Sequence, residues 1–239
     1  MKRLAHTPVF GLALTLALAA VSSEATVYFQ NAGTTSGWSK VYAQQIGRVY
    51  QVSSPVYKGS TALAFEQTWN NVQTGYHSEV IRANAQAEGQ DRYYGKVVRF
   101  NSDWVWENDN YTFAQWSPEN PEGPWCLQFL QNQNLRIQRK AGSGGIADLG
   151  AITRGVWIRI VVRFRLTATG IQEAWVNGSK KLSVSGSITV PGTTVRWSNG
   201  IYCTGWRDTT PATNVRKRTI YQDNFRIASS LAEAEPSSW

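Results

Sequence analysis

Hydrophobic and polar residues alternate with a period of two along most of the chain. Val97–Phe100, Leu135–Arg139, Trp157–Leu166, Gln172–Val176 and Ile220–Ile227 alternate or run apolar over strand-like lengths. Turn chemistry stands between such segments: Ala141 to Gly145, Asn177-Gly178, Pro191-Gly192 and Asn199-Gly200. Helical spacing is hard to find. Many short strands spaced by about ten residues predict an all-β, two-sheet antiparallel β-jelly roll, a concanavalin-like sandwich. In the Trp157–Leu166 strand, Ile158, Ile160, Val162 and Phe164 form one face, and Arg159, Val161, Arg163 and Arg165 the other. The arginine face is either an ordinary solvated sheet surface or a cationic lining. Trp175 to Leu182 reads as a hairpin of the scaffold.

The first residues depart from this pattern. Met1-Lys2-Arg3 precedes an apolar run from Val9 to Ala20, with small-residue cleavage sites at Ala17-Leu18-Ala19 and Ser23-Glu24-Ala25. That is the layout of a secretory signal peptide, cleaved between residues 19 and 25, and its apolar run is too short to span a bilayer. The expected organisation is a signal peptide over 1–25, one domain over 26–228 and a flexible tail over 229–239, in a secreted, extracellular protein without membrane contact. The tail is rich in Ser, Ala and Glu and has no periodic signal.

Composition narrows the chemistry. The 239 residues include two cysteines, Cys126 and Cys203, and export makes a disulfide between them the natural reading. Of two histidines, His6 lies in the leader, so His77 is the sole imidazole of the mature chain. Multi-histidine metal sites are thereby excluded, and no GxSxG elbow presents a serine nucleophile. The net charge of +8 favours a polyanionic partner. Export argues against nucleic acid, leaving acidic polysaccharide. Aromatic residues make up 12% of the chain and suit either a β core or a cleft that stacks on sugar rings.

Three segments carry candidate chemistry. In Tyr76-His77-Ser78-Glu79-Val80-Ile81-Arg82, alternation puts His77, Glu79 and Ile81 on one face and Arg82 on the other. The plainer reading of His77 is a strand-edge imidazole paired with Glu79. In Tyr111 to Ser117, alternation puts Phe113, Gln115 and Ser117 together, opposite Thr112, Ala114 and Trp116. The Gln115 amide needs partners, from the scaffold or a ligand. In Trp197 to Asp208, a regular strand gives Tyr202 a common face with Thr204 and Trp206. A tyrosine beside a cation can move protons, although most tyrosines serve the core.

These segments resemble the jelly-roll polysaccharide lyases, in particular the glucuronan lyase family, related in fold to the jelly-roll alginate lyases. His77-Ser78-Glu79-Val80 stands where the alginate enzymes have Arg-[Ser/Thr]-Glu-Leu, Gln115-Trp116-Ser117 where they have Gln-x-His, and Gly200-Ile201-Tyr202 where they have Gly-x-Tyr. Ser117 and His77 depart from the alginate pattern and fit the glucuronan variant, in which a His, a Gln and a Tyr face the cleft. The resemblance implies β-elimination on β-1,4-linked polyglucuronate, with Tyr202, His77 and Gln115 as catalytic residues. Arg82, Arg207, Trp206 and Trp116 are expected to bind substrate, with Arg82, Arg207 or arginines of the Trp157–Leu166 strand lining the subsites of a polyanion.

No cofactor is expected for the chemistry. The resemblance leaves room for a structural Ca2+, although no loop gathers carboxylates, and a monomer is expected. Three alternatives remain at this level: a non-catalytic carbohydrate-binding jelly roll, a lyase for another polyuronate such as alginate, and a retaining glycosidase. The last requires paired carboxylates, for which Glu107-Asn108-Asp109 is the one nearby candidate.

Overall fold

The computed structural model describes residues 25–72, 75–119, 126–139, 145–186, 194–207, 210–211 and 213–239. The expected signal peptide and the turns at 141–144 and 191–192 lie outside the described residues. Fifteen strands follow in chain order: β1 (Val27–Asn31), β2 (Lys40–Ala43), β3 (Arg48–Val52), β4 (Ala62–Thr68), β5 (His77–Ala87), β6 (Asp91–Phe100), β7 (Tyr111–Pro118), β8 (Cys126–Gln131), β9 (Asn134–Arg139), β10 (Ile146–Ala151), β11 (Ile158–Arg165), β12 (Gly170–Val176), β13 (Ser179–Gly186), β14 (Thr194–Cys203) and β15 (Lys217–Ala228). They form two antiparallel sheets. Sheet I has the order β13-β12-β11-β6-β15-β4-β3, with β1 also on β15, and sheet II the order β10-β9-β8-β7-β14-β5-β2. This is the two-sheet sandwich that the alternation predicts.

The core lies between the sheets. On β11, Ile158, Ile160, Val162 and Phe164 point inward and are buried, as their spacing requires. Aromatic rings meet edge-on across the interior: Tyr94 is 5.5 Å from Trp116 and 5.2 Å from Trp197, and Trp116 is 5.1 Å from Phe164. The β12–β13 hairpin turns at Asn177 and Gly178, with φ of 50° and 81°. Two consecutive left-handed residues match the right-handed strand twist, which is why Asn-Gly stands there.

Four expectations change. Cys126 and Cys203 are both buried thiols, not bonded to each other. Cys126 pairs with Trp116 on one side of β7, and Cys203 with Tyr111 on the other. At about 3.3 Å per residue the five-residue offset puts them roughly 16 Å apart along β7, well beyond the ~7 Å limit for a bridge.

The tail does not fray. A one-turn helix α1 (Leu231–Ala234) and a 3-10 turn (Pro236–Ser238) dock on the outer face of sheet I. Ser230 caps α1 by accepting from the Glu233 N–H, and Arg226 stacks 3.7 Å from the Trp239 ring. Gly95 permits this docking, since a Cβ there would strike the Ala234 carbonyl.

Asn199-Gly200 is no turn but lies inside β14. Finally, the β11 arginines belong to the outer face of sheet I, where Arg163 bonds Asp91 at 2.7 Å and Glu173 at 2.8 Å, Arg165 bonds Asp91 at 3.1 Å, and Arg159 bonds Glu235 at 2.8 Å. They form a solvated ion-pair surface on the sheet opposite His77, Gln115 and Tyr202.

Candidate active site

The outer face of sheet II brings the three catalytic candidates together. β14 runs between β5 and β7, with Tyr202 opposite His77, Gly200 opposite Glu79 and Ser198 opposite Gln115. On β5 the alternation holds. Ser78 turns inward and donates to the Glu66 carbonyl at 2.7 Å, while His77 and Glu79 turn outward. The Tyr202 ring lies flat on the imidazole, with centroids 3.7 Å apart and planes 16° apart.

Glu79 organises the group. One carboxylate oxygen is 3.0 Å from His77 Nδ1, and the other accepts from Gln115 Nε2 at 2.5 Å. Its side chain is only 7% exposed, so both contacts are shielded from water. The carboxylate fixes the imidazole with a proton on Nδ1 and directs Nε2 toward a ligand. β5 and β7 are two strand spacings apart, roughly 9.6 Å. Glu79 and Gln115 meet across β14 at Gly200, which carries no side chain. Gly200 has φ of 148°, and a Cβ there would strike the Ser78 carbonyl and come 2.7 Å from Glu79 Cα.

The predicted faces of β7 and β14 need correction. β7 carries an extra residue against β8: Thr112 pairs with Phe129 but Ala114 with Gln128, so Phe113 is bulged. Phe113 therefore packs in the core, 5.7 Å from Phe100, instead of sharing a face with Gln115. Trp116 also faces the core and is 1% exposed, so its ring serves packing and offers no face to a ligand.

β14 stops at Cys203, and a 3-10 turn, Thr204–Arg207, follows. That change of backbone rotates Trp206 inward, where it is 1% exposed and packs edge-on against Tyr76 at 5.6 Å. The same turn brings Arg207 Nη1 to 3.4 Å from Tyr202 Oη. Asp109 supports the turn by accepting from the Gly205 N–H, and burial pushes its carboxyl above the usual range. Arg82 lies on the face opposite His77, with its guanidinium 5.1 Å from the Phe29 ring, and takes no part in the group.

Two members escaped the sequence reading. Glu79 figured only as the plain partner of His77, whereas it holds His77 and Gln115 at once. Tyr42 on β2 stands opposite Glu79 in register, its ring 6.2 Å from His77 and 4.5 Å from Lys40 Nζ. Burial, and then the Glu79 charge, raise the Tyr42 phenol above its ordinary value, keeping it a proton donor. β2 is short, and Lys-Val-Tyr-Ala carries little periodic signal.

The paired-carboxylate alternative finds no geometry here. Glu107 is buried in hydrogen bonds with Arg218 and Tyr111, and Asp109 is engaged at the 3-10 turn. A cavity of 490 Å³ bounded by Tyr50, Glu66, Asp103, Lys217 and Tyr221 opens on sheet I and contains none of the site residues. Among the described residues no three His, Cys, Asp or Glu side chains converge, so no donor set of the kind Ca2+ takes is found there.

The arrangement combines a phenol beside a cation, an imidazole oriented by a carboxylate, and an amide. Such a group can neutralise a bound carboxylate and move a proton next to it. The fold is a two-sheet β-jelly roll that carries this group on the outer face of one sheet. The chain belongs to the polysaccharide lyase family, whose pattern it matches over residues 30–226, and it is a lyase. It is similar to the endo-β-1,4-glucuronan lyase of the fungus Trichoderma reesei, with a TM-score of 0.83 and 25% identity over 90% of this chain and 100% of that one. A cellulose-induced protein (TM-score 0.59, 16% identity, 81% of this chain and 91% of that one) and the family 7 alginate lyase A1-II′ (0.54, 14%, 79% and 85%) share the fold. No curated protein sequence matches the chain.

Proposed function

We propose that the protein is a secreted glucuronan lyase, cleaving β-1,4-linked polyglucuronate by β-elimination. The observation that carries this reading is the Tyr202–His77–Glu79–Gln115 group: one phenol stacked on one imidazole, with a single carboxylate holding imidazole and amide. The proton on C5 of a uronate is poorly acidic while the neighbouring carboxylate bears its charge. Donors that neutralise that carboxylate stabilise the dianion formed when C5 loses its proton. Gln115 Nε2 supplies one donor, and the His77 imidazole that Glu79 holds supplies another.

In glucuronate, H5 and O4 lie on the same side of the ring, so one group can serve both ends of the elimination. Tyr202 as phenolate, favoured by Arg207, takes H5. The C4–O bond breaks as the C4–C5 double bond forms, and the phenol returns its proton to O4 of the leaving chain. The phenolate is thereby regenerated. No cofactor enters these steps. Arg207 and Lys40 contribute positive charge for subsites, and the protein acts as a monomer. The leader-like N-terminus supports export, and no helix among the described residues is long and apolar enough to cross a membrane.

The test is incubation with glucuronan, alginate and pectate while following ultraviolet absorbance of the unsaturated uronate. Turnover of glucuronan well above the others is expected. Preferential turnover of alginate would replace the substrate while keeping the chemistry.

A further inference from the structure

The two strands that deliver Gln115 and Tyr202 are irregular at the same level. Phe113 is an extra residue on β7 against β8. Against β7, Asn199 pairs with Ala114 and Tyr202 with Thr112, so β14 carries an extra residue as well. A bulge frees backbone groups from the ladder, and buried ones need partners. Here the Phe113 and Gly200 carbonyls turn into the sandwich and are met by side chains of the opposite sheet. Lys96 Nζ donates to Phe113 O at 2.9 Å, and Gln222 Nε2 donates to Phe113 O at 2.9 Å and Gly200 O at 3.0 Å. Lys96 also donates to Asn199 Oδ1 at 2.9 Å and Gln222 Oε1 at 3.4 Å. Three acceptors thus surround Lys96 Nζ within hydrogen-bond reach.

Lys96 is 2% exposed, on a β6 face otherwise occupied by Tyr94, Val98 and Phe100. Burial drives its amine well below the ordinary value, and the Glu79 charge offsets only part of that. An apolar side chain of similar volume would avoid the desolvation penalty, so packing alone does not account for a lysine here. The freed carbonyls beneath the site strands do.

We propose that Lys96 is a positioning residue for the elimination: from sheet I it pins the matched bulges of β7 and β14 and so sets where Gln115 and Tyr202 meet Glu79 and His77. Gln115 is two residues beyond Phe113, and Tyr202 two beyond Gly200. A one-residue slip of either strand turns its side chains to the other face, so losing the pin misplaces the amide or the phenol. The proposal rests on the lyase reading of that face.

The test compares Lys96→Met with Val98→Ala, a cavity variant on the same face of the same strand. Lys96→Met is expected to melt cooperatively, with kcat on glucuronan about 10- to 100-fold lower and KM within about twofold. Amide exchange across 113–115 and 200–202 is expected to quicken. Val98→Ala loses stability yet keeps kcat and slow exchange in those segments, measured well below its Tm. Equal kcat for the two folded variants overturns the proposal. Should Lys96→Met not fold, Asn199→Ala removes an acceptor at the other end of the pin: a tenfold fall in kcat supports the proposal and an unchanged kcat overturns it. If wild-type protein turns over no polyuronate, the functional reading fails by itself, and the exchange comparison still decides whether Lys96 holds the bulges.

Discussion

Replacing Glu79 by Gln exchanges one carboxylate oxygen for an amide nitrogen and keeps the shape of the side chain. In the native protein one oxygen accepts from Gln115 Nε2 at 2.5 Å and the other meets His77 Nδ1 at 3.0 Å. Glutamine offers a single acceptor, so it keeps one partner and turns its own N–H groups toward the other. A hydrogen bond to a charged group is worth about 1.5–3 kcal/mol. If the lost bond acts only by orienting a donor in the transition state, kcat falls about 10- to 150-fold, at 1.36 kcal/mol per decade. Glu79→Asp should do no better, because the shortened side chain cannot span from His77 to Gln115 across β14. Initial rates of unsaturated-product formation give kcat, and retention on immobilised polymer reports binding, which should persist. A kcat within about threefold of wild type, in a folded Glu79→Gln, would refute the claim that one carboxylate positions both donors.

Tyr202→Phe keeps the 3.7 Å stack on His77 but removes the oxygen proposed to move both protons, so turnover should drop by orders of magnitude while polymer binding persists; near wild-type turnover would shift attention to Tyr42. Gly200→Ala should lower both Tm and activity, because a Cβ would strike the Ser78 carbonyl and the residue sits at φ of 148°; an unchanged Tm contradicts the register described. Labelling of denatured, unreduced protein should find two reactive thiols; finding none would restore the Cys126–Cys203 bridge. Burial alone would raise Asp91, but hydrogen bonds from Arg163 and Arg165 outweigh it and hold the carboxyl below its ordinary 3.8. Its stabilising effect is therefore present above that value and lost as pH falls through the lower folded one. Asp91→Asn should lower Tm at neutral pH, with the gap to wild type closing as pH falls below 3.8; a gap constant with pH would show that the ion pair contributes nothing.

Much of the architecture was legible because alternation is a local property. β11 shows it best: Ile158, Ile160, Val162 and Phe164 all point inward, and their partners Val98, Tyr94, Ala174 and Val176 are apolar, while Lys96, Arg92 and Gln172 interrupt the pattern across the strands. What alternation could not supply was the sheet on which a face lies. The arginines of β11 fit either a solvated sheet surface or a cationic lining, and only the topology places them on the sheet opposite His77. Nor could it supply the places where the period breaks. One bulged residue moved Phe113 away from the Gln115 face, and one 3-10 turn carried Trp206 inward while delivering Arg207 to Tyr202. His77, Gln115 and Tyr202 were recognisable through a family resemblance carried by very short motifs. Their common holder, Glu79, was not, because a carboxylate two residues from a histidine on a strand looks like a surface ion pair. Its second bond comes from a strand 36 positions away in sequence.

The hydrophobic pattern fails where the site begins. Lys96, Asn199 and Gln222 occupy interior positions that a period-two reading assigns to apolar residues, and all three lie beneath the strands bearing Gln115 and Tyr202. Asn199 Nδ2 is buried there with no hydrogen-bond partner, a cost that a purely structural core would avoid. Regular ladders would dispense with this polar cluster, because their carbonyls would already be paired within sheet II. They would also change how far Gln115 and Tyr202 are staggered along neighbouring strands. Glu79 bonds Gln115 and His77 while Tyr202 covers the same imidazole, so all three side chains must reach one level of the sheet. The bulges provide that stagger, and the buried polar groups satisfy the backbone the bulges expose. Local loss of core stability and positioning of the reactive groups are thus two consequences of the same irregularity.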